Sequence, residues 1–167
     1  MKIKDGKALS DCHACHLDWQ SESVTLMVGG SRVEDKMIEE VRLCYGEGRY
    51  RVSILAIVTT DGLSITLTGG EKPHVGGMAM SVPRQSLDGH ATCDTWITPV
   101  PGHKDAEVAH TVAKLLCLET GQTTVVVAGI HVDQPDQQEI TKLVDNSITA
   151  AQILADKVKG ILKIERT

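Results

Sequence analysis

The sequence predicts one α+β domain with a mainly antiparallel sheet. The chain has 167 residues, of which 41% are apolar, enough for a single domain with its own core. Strand-like segments come first, mainly between about residues 45 and 98, and a helix–strand–helix pattern follows from about residue 105. This order favours an antiparallel meander carrying helices over an alternating, doubly wound fold.

Strands are the main elements predicted before residue 98. The residues around Asp61-Gly62 indicate a hairpin, because this dipeptide lies between two runs rich in β-branched residues. We expect Pro83 to end the strand at 75–82, since proline cannot donate to a β-ladder. The spacing of apolar residues over 33–41 favours a short helix. The predicted strands are a short one at 24–28, then 50–59, 63–68, 75–82 and 91–98.

The second half predicts two helices around one strand. A helix over 105–119 would end at Gly121, and the apolar run 123–130 is typical of a central strand. Asp136 and Glu139 resemble a capping box at the start of a second helix. That helix would be about 45 Å long, so we expect it to break near Asn146 or Gly160, or to reach a partner.

Composition and charge exclude some functions. The net charge is -5, the aromatic content is 2% and phenylalanine is absent, so the chain lacks the basic face and stacking platforms of a general nucleic-acid binder. It has no apolar run long enough for a transmembrane helix. The basic start of the chain is not followed by the apolar stretch of a secretory signal. We therefore expect a cytoplasmic protein with reduced thiols and no membrane association.

Three histidines lie in polar, glycine-bearing loops beside apolar runs: His74, His103 and His131. Loops at strand ends commonly display functional groups on a rigid scaffold. One interpretation is a shared ligand site, in which glycines, Lys72, Lys104 and Arg84 would hold an anionic group such as a phosphate. The alternatives are that each histidine caps a local turn, or that the three histidines and Asp133 bind a metal.

The segment Cys12-His13-Ala14-Cys15-His16 matches the pattern for covalent haem attachment. Three interpretations stay open: an incidental thiol cluster, a metal site using Cys12, Cys15 and His16, or haem attachment. The chain has no P-loop, no G-x-S-x-G and no G-x-G-x-x-G, and no acid/base pair that indicates catalysis. We therefore predict no catalytic residues.

Five stretches, in this order, resemble the prenylated flavin chaperone family, the LpdD-like domain found beside UbiD-type decarboxylases. They are 63–70 (LSITLTGG), 73–77 (PHVGG), 83–87 (PRQSL), 102–105 (GHKD) and 125–133 (VVVAGIHVD). The likeness extends from about residue 45 to about residue 153. On this basis, we expect a variable N-terminal extension over residues 1–40 and one LpdD-like domain over residues 41–167.

The resemblance implies a non-catalytic homodimer whose fold is similar to proteasome-assembly chaperones. It implies binding of reduced prenylated flavin mononucleotide (FMN) and delivery to a UbiD-type decarboxylase. The residues that would form or support the cofactor site are Gly69, Gly70, His74, Gly76, Arg84, His103, Lys104, His131 and Asp133. The rival functions are a small metal-dependent enzyme using His74, His103, His131 and Asp133, and an assembly chaperone that binds only protein.

Overall fold

The computed structural model describes residues 25–33 and 36–165, and the side chains of residues 38–163. This part of the chain is α+β, as the sequence predicts. The strands are β1 (Thr25–Val33), β2 (Lys36–Tyr45), β3 (Val52–Thr59), β4 (Gly62–Gly70), β5 (Gly77–Gln85), β6 (Ala91–Pro99) and β7 (Thr124–His131). The helices are α1 (Asp105–Thr120) and α2 (Gln137–Glu165), and a 3-10 turn spans Gly48–Tyr50.

The strands form one seven-stranded sheet in the order β1-β2-β3-β4-β7-β5-β6. Strands β1 to β4 form an antiparallel meander, and β5 and β6 form a second antiparallel pair. Strand β7 returns after α1 and inserts between them, parallel to β4 and antiparallel to β5. The sheet is therefore mainly antiparallel with one parallel pair.

Both helices pack on the same face of this sheet, α1 over β5 to β7 and α2 over β2 to β4. The face beneath them is aliphatic because alternate strand residues point toward the helices, as in β3, where Val52, Ile54, Ala56 and Val58 are buried. The opposite face carries no helix from the described residues. Met78, Met80 and Trp96 stand partly exposed on that face.

The expectation of a helix over 33–41 is wrong, because residues 36–45 form β2. From Val41 onward the segment alternates, with Val41, Leu43 and Tyr45 buried against the helices and the residues between them more exposed. Pairing with β3 along its length stabilises this extended form.

Pro83 does not end its strand, and β5 continues to Gln85. Strand β7 pairs with β5 only up to Ser81, whereas β6 pairs with it throughout. Beyond Ser81 the strand has a neighbour on one side only, which is where proline is tolerated in a sheet.

The predicted helix signals at 121 and 136–139 are confirmed. Gly121 adopts a left-handed conformation with φ of 69° and donates its N–H to the carbonyl of Cys117. Asp136 and Glu139 exchange backbone-to-carboxylate hydrogen bonds of 3.0 and 2.8 Å. Helix α2 is continuous through Asn146 and Gly160, so the predicted break is absent.

The predicted boundary at residue 40 stays a prediction. Strand β1 and the first half of β2 lie before it and belong to the same sheet. The cluster Cys12–His16 lies outside the described residues. Neither helix of the described part is long and apolar enough to cross a membrane.

Candidate functional site

The topology brings the three histidine loops to one edge of the sheet. Strands β4 and β7 are parallel, so the loop after β4, which contains His74, begins beside His131 at the end of β7. Strand β5 runs the other way and starts at this edge, and β6 ends opposite its first residue, Gly77. The loop from β6 to α1, which contains His103, therefore also lies here.

His74 lies between the other two histidines. Its Nδ1 is 3.0 Å from the carbonyl oxygen of Lys72; because a carbonyl only accepts, Nδ1 donates this hydrogen bond. Its Nε2 is 2.9 Å from Nδ1 of His103, within hydrogen-bond distance. The ring of His131 lies edge-on, 6.0 Å from that of His74. His74 thus both closes a local turn and joins a shared cluster.

Asp105, the first residue of α1, completes this cluster and was not among the residues predicted from the sequence. Its Oδ2 lies 3.4 Å from Nε2 of His74 and 3.7 Å from Nδ1 of His103. Its Oδ1 accepts the backbone N–H of Ile130 at 2.7 Å. The carboxylate is buried. Two imidazole nitrogens and one carboxylate oxygen converge here.

Asp133 is engaged elsewhere. Its Oδ1 and Oδ2 accept hydrogen bonds from Nζ of Lys72, at 2.7 and 2.6 Å. Oδ1 also accepts one from Nε2 of His131, at 2.9 Å. The Lys72 ammonium, followed by His131, holds the pKa of this carboxyl below its ordinary value. The predicted set of three histidines and Asp133 is therefore divided into two neighbouring groups.

The glycines of these loops allow close approach of one protein segment to another. Gly70 has a φ of +74°, and a Cβ there would clash with the carbonyl of His131. A Cβ on Gly129 would clash with the carbonyl of His74, and one on Gly76 with the carboxylate of Asp105. The glycines therefore position the cluster; the sequence suggested that they approach a ligand.

A polar network outside the predicted set joins the site to α2. Arg49 donates from Nη2 to the carbonyl of Asp133 at 2.7 Å and lies 3.5 Å from Glu71. The Tyr50 hydroxyl donates to Glu139 at 2.6 Å. This bond raises the pKa of Tyr50 and lowers that of Glu139. Neither Arg49 nor Tyr50 lies in a motif that would have revealed it.

A cavity of about 310 Å³ opens beside the histidines, between α1, the end of β7 and the start of α2. Its volume falls at the lower end of the range for small-ligand sites, about 300–1,000 Å³. Its wall is apolar on the helix side and polar at the loops. The lining includes His103, Lys104, Val108, Ile130, His131, Leu143 and Val144. A cavity of about 490 Å³ along α2 is lined by polar residues such as Gln138, Lys142 and Asp145.

Most predicted site residues lie at this edge, and Arg84 does not. Gly69, Gly70, His74, Gly76, His103, Lys104, His131 and Asp133 occupy the three loops or the strand ends beside them. Arg84 lies seven residues along β5 from Gly77, about 23 Å away in an extended strand, and it pairs with Asp94 at 2.7 Å. Trp96 lies on the open face of the sheet and does not line the 310 Å³ cavity.

Comparison with known families gives one match. A family model described as the prenylated flavin chaperone LpdD-like domain matches residues 46–159, more than half of the chain. No curated protein matches the chain.

Proposed function

The chain belongs to the LpdD-like prenylated flavin chaperone family, and from this premise we propose that it binds reduced prenylated FMN and delivers it to a UbiD-type decarboxylase. The observation that supports a site for this ligand is that the His103 and His131 loops line a mainly apolar cavity with a polar edge, and that His74 packs against both histidines. A flavin also combines apolar and polar parts: a hydrophobic ring system, polar ring edges and an anionic phosphate.

In this proposal the flavin ring occupies the apolar part of the cavity, against Val108 and Leu143. His103 and His131 meet the polar edge of the ring, where an imidazole can donate or accept. The phosphate lies at the start of α1 beside Lys104. There, the helix N-terminus carries partial positive charge, and no side chain caps it.

A carrier has to release its cargo, and this site suits moderate affinity. The histidines His74, His103 and His131 are partly exposed, and the cavity is partly open to solvent. No predicted catalytic residue is involved, so we propose that the flavin leaves chemically unchanged. We also propose that the protein acts in the cytoplasm. Its described cysteines Cys44, Cys93 and Cys117 are free thiols, which fits a reducing compartment. We propose in addition that it forms a homodimer.

The test is an anaerobic titration of the full chain with reduced prenylated FMN, followed by flavin fluorescence, with plain reduced FMN as the reference ligand. We expect saturable binding that favours the prenylated form. Lys104→Ala should cost about 1–3 kcal/mol if the ammonium meets the phosphate, which is about 5- to 150-fold in Kd. Arg84→Ala is the matched control, since it removes a cation at the far end of β5.

Failure of the chain to bind either flavin would overturn the proposal, and equal affinities for Lys104→Ala and Arg84→Ala would remove Lys104 from the site. Delivery needs its own assay: the loaded chain is mixed with a UbiD-type apo-decarboxylase, and the onset of decarboxylation is compared with that produced by free cofactor. Sedimentation velocity of the unloaded chain tests the homodimer.

A further inference from the structure

We propose that His74, His103 and Asp105 bind a divalent transition-metal ion, with Zn²⁺ or Co²⁺ as suitable occupants. The ligand atoms are Nε2 of His74, Nδ1 of His103 and Oδ2 of Asp105. This site is distinct from a set that includes Asp133, whose carboxylate is paired with Lys72. It does not depend on the flavin proposal.

The three ligand atoms are separated as donors around one ion are. A metal about 2.1 Å from each donor places neighbouring donors about 3.0 Å apart in octahedral and about 3.4 Å apart in tetrahedral geometry. The separations here are 2.9 Å between the two nitrogens, 3.4 Å from His74 to Asp105 and 3.7 Å from His103 to Asp105. An ion can therefore be accommodated with small side-chain adjustments.

Backbone groups already orient two of the three ligands. The Nδ1 hydrogen of His74 is donated to the carbonyl of Lys72, and this bond directs Nε2 into the cluster. The N–H of Ile130 holds Oδ1 of Asp105 and leaves Oδ2 facing the histidines. Hydrogen bonds of this kind, from the second atom of a ligand to a fixed partner, are the usual outer shell of protein metal sites.

The charge of Asp105 gives an independent reason. A buried carboxylate is costly unless it is paired with a cation. Among the residues that the structure describes, no lysine or arginine forms an ion pair with Asp105, and only the two histidines stand within ion-pair distance of it. A divalent ion on Oδ2 would be such a cation.

The donor set indicates the class of metal. Imidazole nitrogen favours zinc and the neighbouring transition metals, whereas sites for Mg²⁺ and Ca²⁺ are built from oxygen ligands. Because His103 and Asp105 also line the 310 Å³ cavity, the coordination positions left open by three protein ligands can accept water or a ligand atom there.

The experiment uses the full chain with Cys12→Ser and Cys15→Ser, so that the N-terminal thiols cannot bind the probe. Co²⁺ is titrated without any flavin and followed by its visible absorption; Zn²⁺ is then measured per chain after gel filtration. We expect one ion per chain. His103→Gln and Asp105→Asn should each weaken binding by more than about tenfold. Asparagine keeps an oxygen for the Ile130 N–H and removes the anionic ligand.

His90→Gln is the matched control, because His90 is an exposed histidine between β5 and β6, and we expect it to bind as the background chain does. The proposal is overturned if the background chain takes up no ion, or if His103→Gln binds as tightly as that chain. Because His103 is partly exposed, we expect His103→Gln to fold, and this variant tests the proposal even if Asp105→Asn does not fold. Since flavin is absent throughout, the result does not depend on whether the carrier function is right.

Discussion

Replacing Gly129 by alanine should displace the loop that holds His74. Gly129 lies in β7, and a Cβ there would be 1.7 Å from the carbonyl oxygen of His74, whereas real contacts of this kind are essentially never under 3.0 Å. The loop would have to move by roughly 1.3 Å, the difference between these distances. That movement strains the neighbouring hydrogen bond of 2.9 Å from the Gly76 N–H to the carbonyl of Ala128.

The expected cost follows from these contacts. Overpacking costs about 1–3 kcal/mol, and a weakened backbone hydrogen bond adds about 1 kcal/mol. The reduced freedom of the unfolded chain returns about 0.4–1 kcal/mol. The net loss is therefore about 1–4 kcal/mol, which lowers the Tm of a domain of this size by about 3–12 °C. Co²⁺ affinity should fall as well, because Nε2 of His74 moves with the loop.

Gly160→Ala is the matched control for this variant. It makes the same chemical change within α2, where nothing lies within 4 Å of the new Cβ, so it should stabilise the protein by about 0.5–1 kcal/mol. Urea unfolding and thermal melts of both variants give the comparison. If Gly129→Ala is as stable as the parent chain and binds Co²⁺ equally well, the inferred contact between β7 and the His74 loop is not significant.

Three further predictions concern stability and reactivity. The Tyr50 hydroxyl holds the pKa of Glu139 below its ordinary value of 4.5, so the stability from this depressed pKa is present above pH 4.5 and is lost as the pH falls; Glu139→Gln should flatten this acid dependence in urea unfolding. Burial raises the pKa of the Cys117 thiol to about 11, so it should resist alkylation at neutral pH, as measured by peptide mass spectrometry, until the protein unfolds. Leu154 is 1% exposed, and Leu154→Ala should cost about 2–5 kcal/mol in the same unfolding assay, whereas Ile140→Ala, at a partly exposed position, should cost far less.

Local signals predicted the second half of the chain well. The capping box at Asp136 and the left-handed Gly121 act through bonds within a few residues, so their geometry depends little on the rest of the fold. The hairpin at Asp61 is local in the same sense, and β3 pairs with β4 through it. The length of α2 was less predictable, since its continuity through Gly160 depends on packing against the sheet and α1.

The errors occur where a neighbour in space decides the conformation. In β2, the alternation of apolar and polar residues begins only at Val41, after Glu39 and Glu40. A helical spacing fits the apolar residues before these two glutamates equally well. Pairing with β1 and β3 selects the strand. Likewise, Pro83 is tolerated because β7 ends its pairing at Ser81, and this limit is set by strand order, which the local sequence does not contain.

In the site, too, local sequence signals predicted some residues, whereas others depend on their neighbours in space. Three loops on neighbouring strand ends predicted that His74, His103 and His131 would converge, because strand ends on one edge are close whatever the loop sequences are. Which end of β5 a residue occupies was not predictable in the same way, so Arg84 was included although it lies far from the cluster. Asp105 was missed because its significance depends on burial beside two imidazoles, and an aspartate at a helix start ordinarily indicates only the helix itself.

The glycines change the physical interpretation of the site. Gly70 and Gly76 were expected to help hold the ligand, but the space that they and Gly129 leave is filled by protein atoms from the adjoining loop, strand end or helix start. The close approach of Gly129 to the backbone of His74, and that of Gly76 to the Asp105 carboxylate, hold His74 and Asp105 in position before any ligand arrives. A site prepared in this way can bind through few polar contacts, because little ordering cost is left to offset. This combination suits a protein that must hold a cargo selectively and still release it.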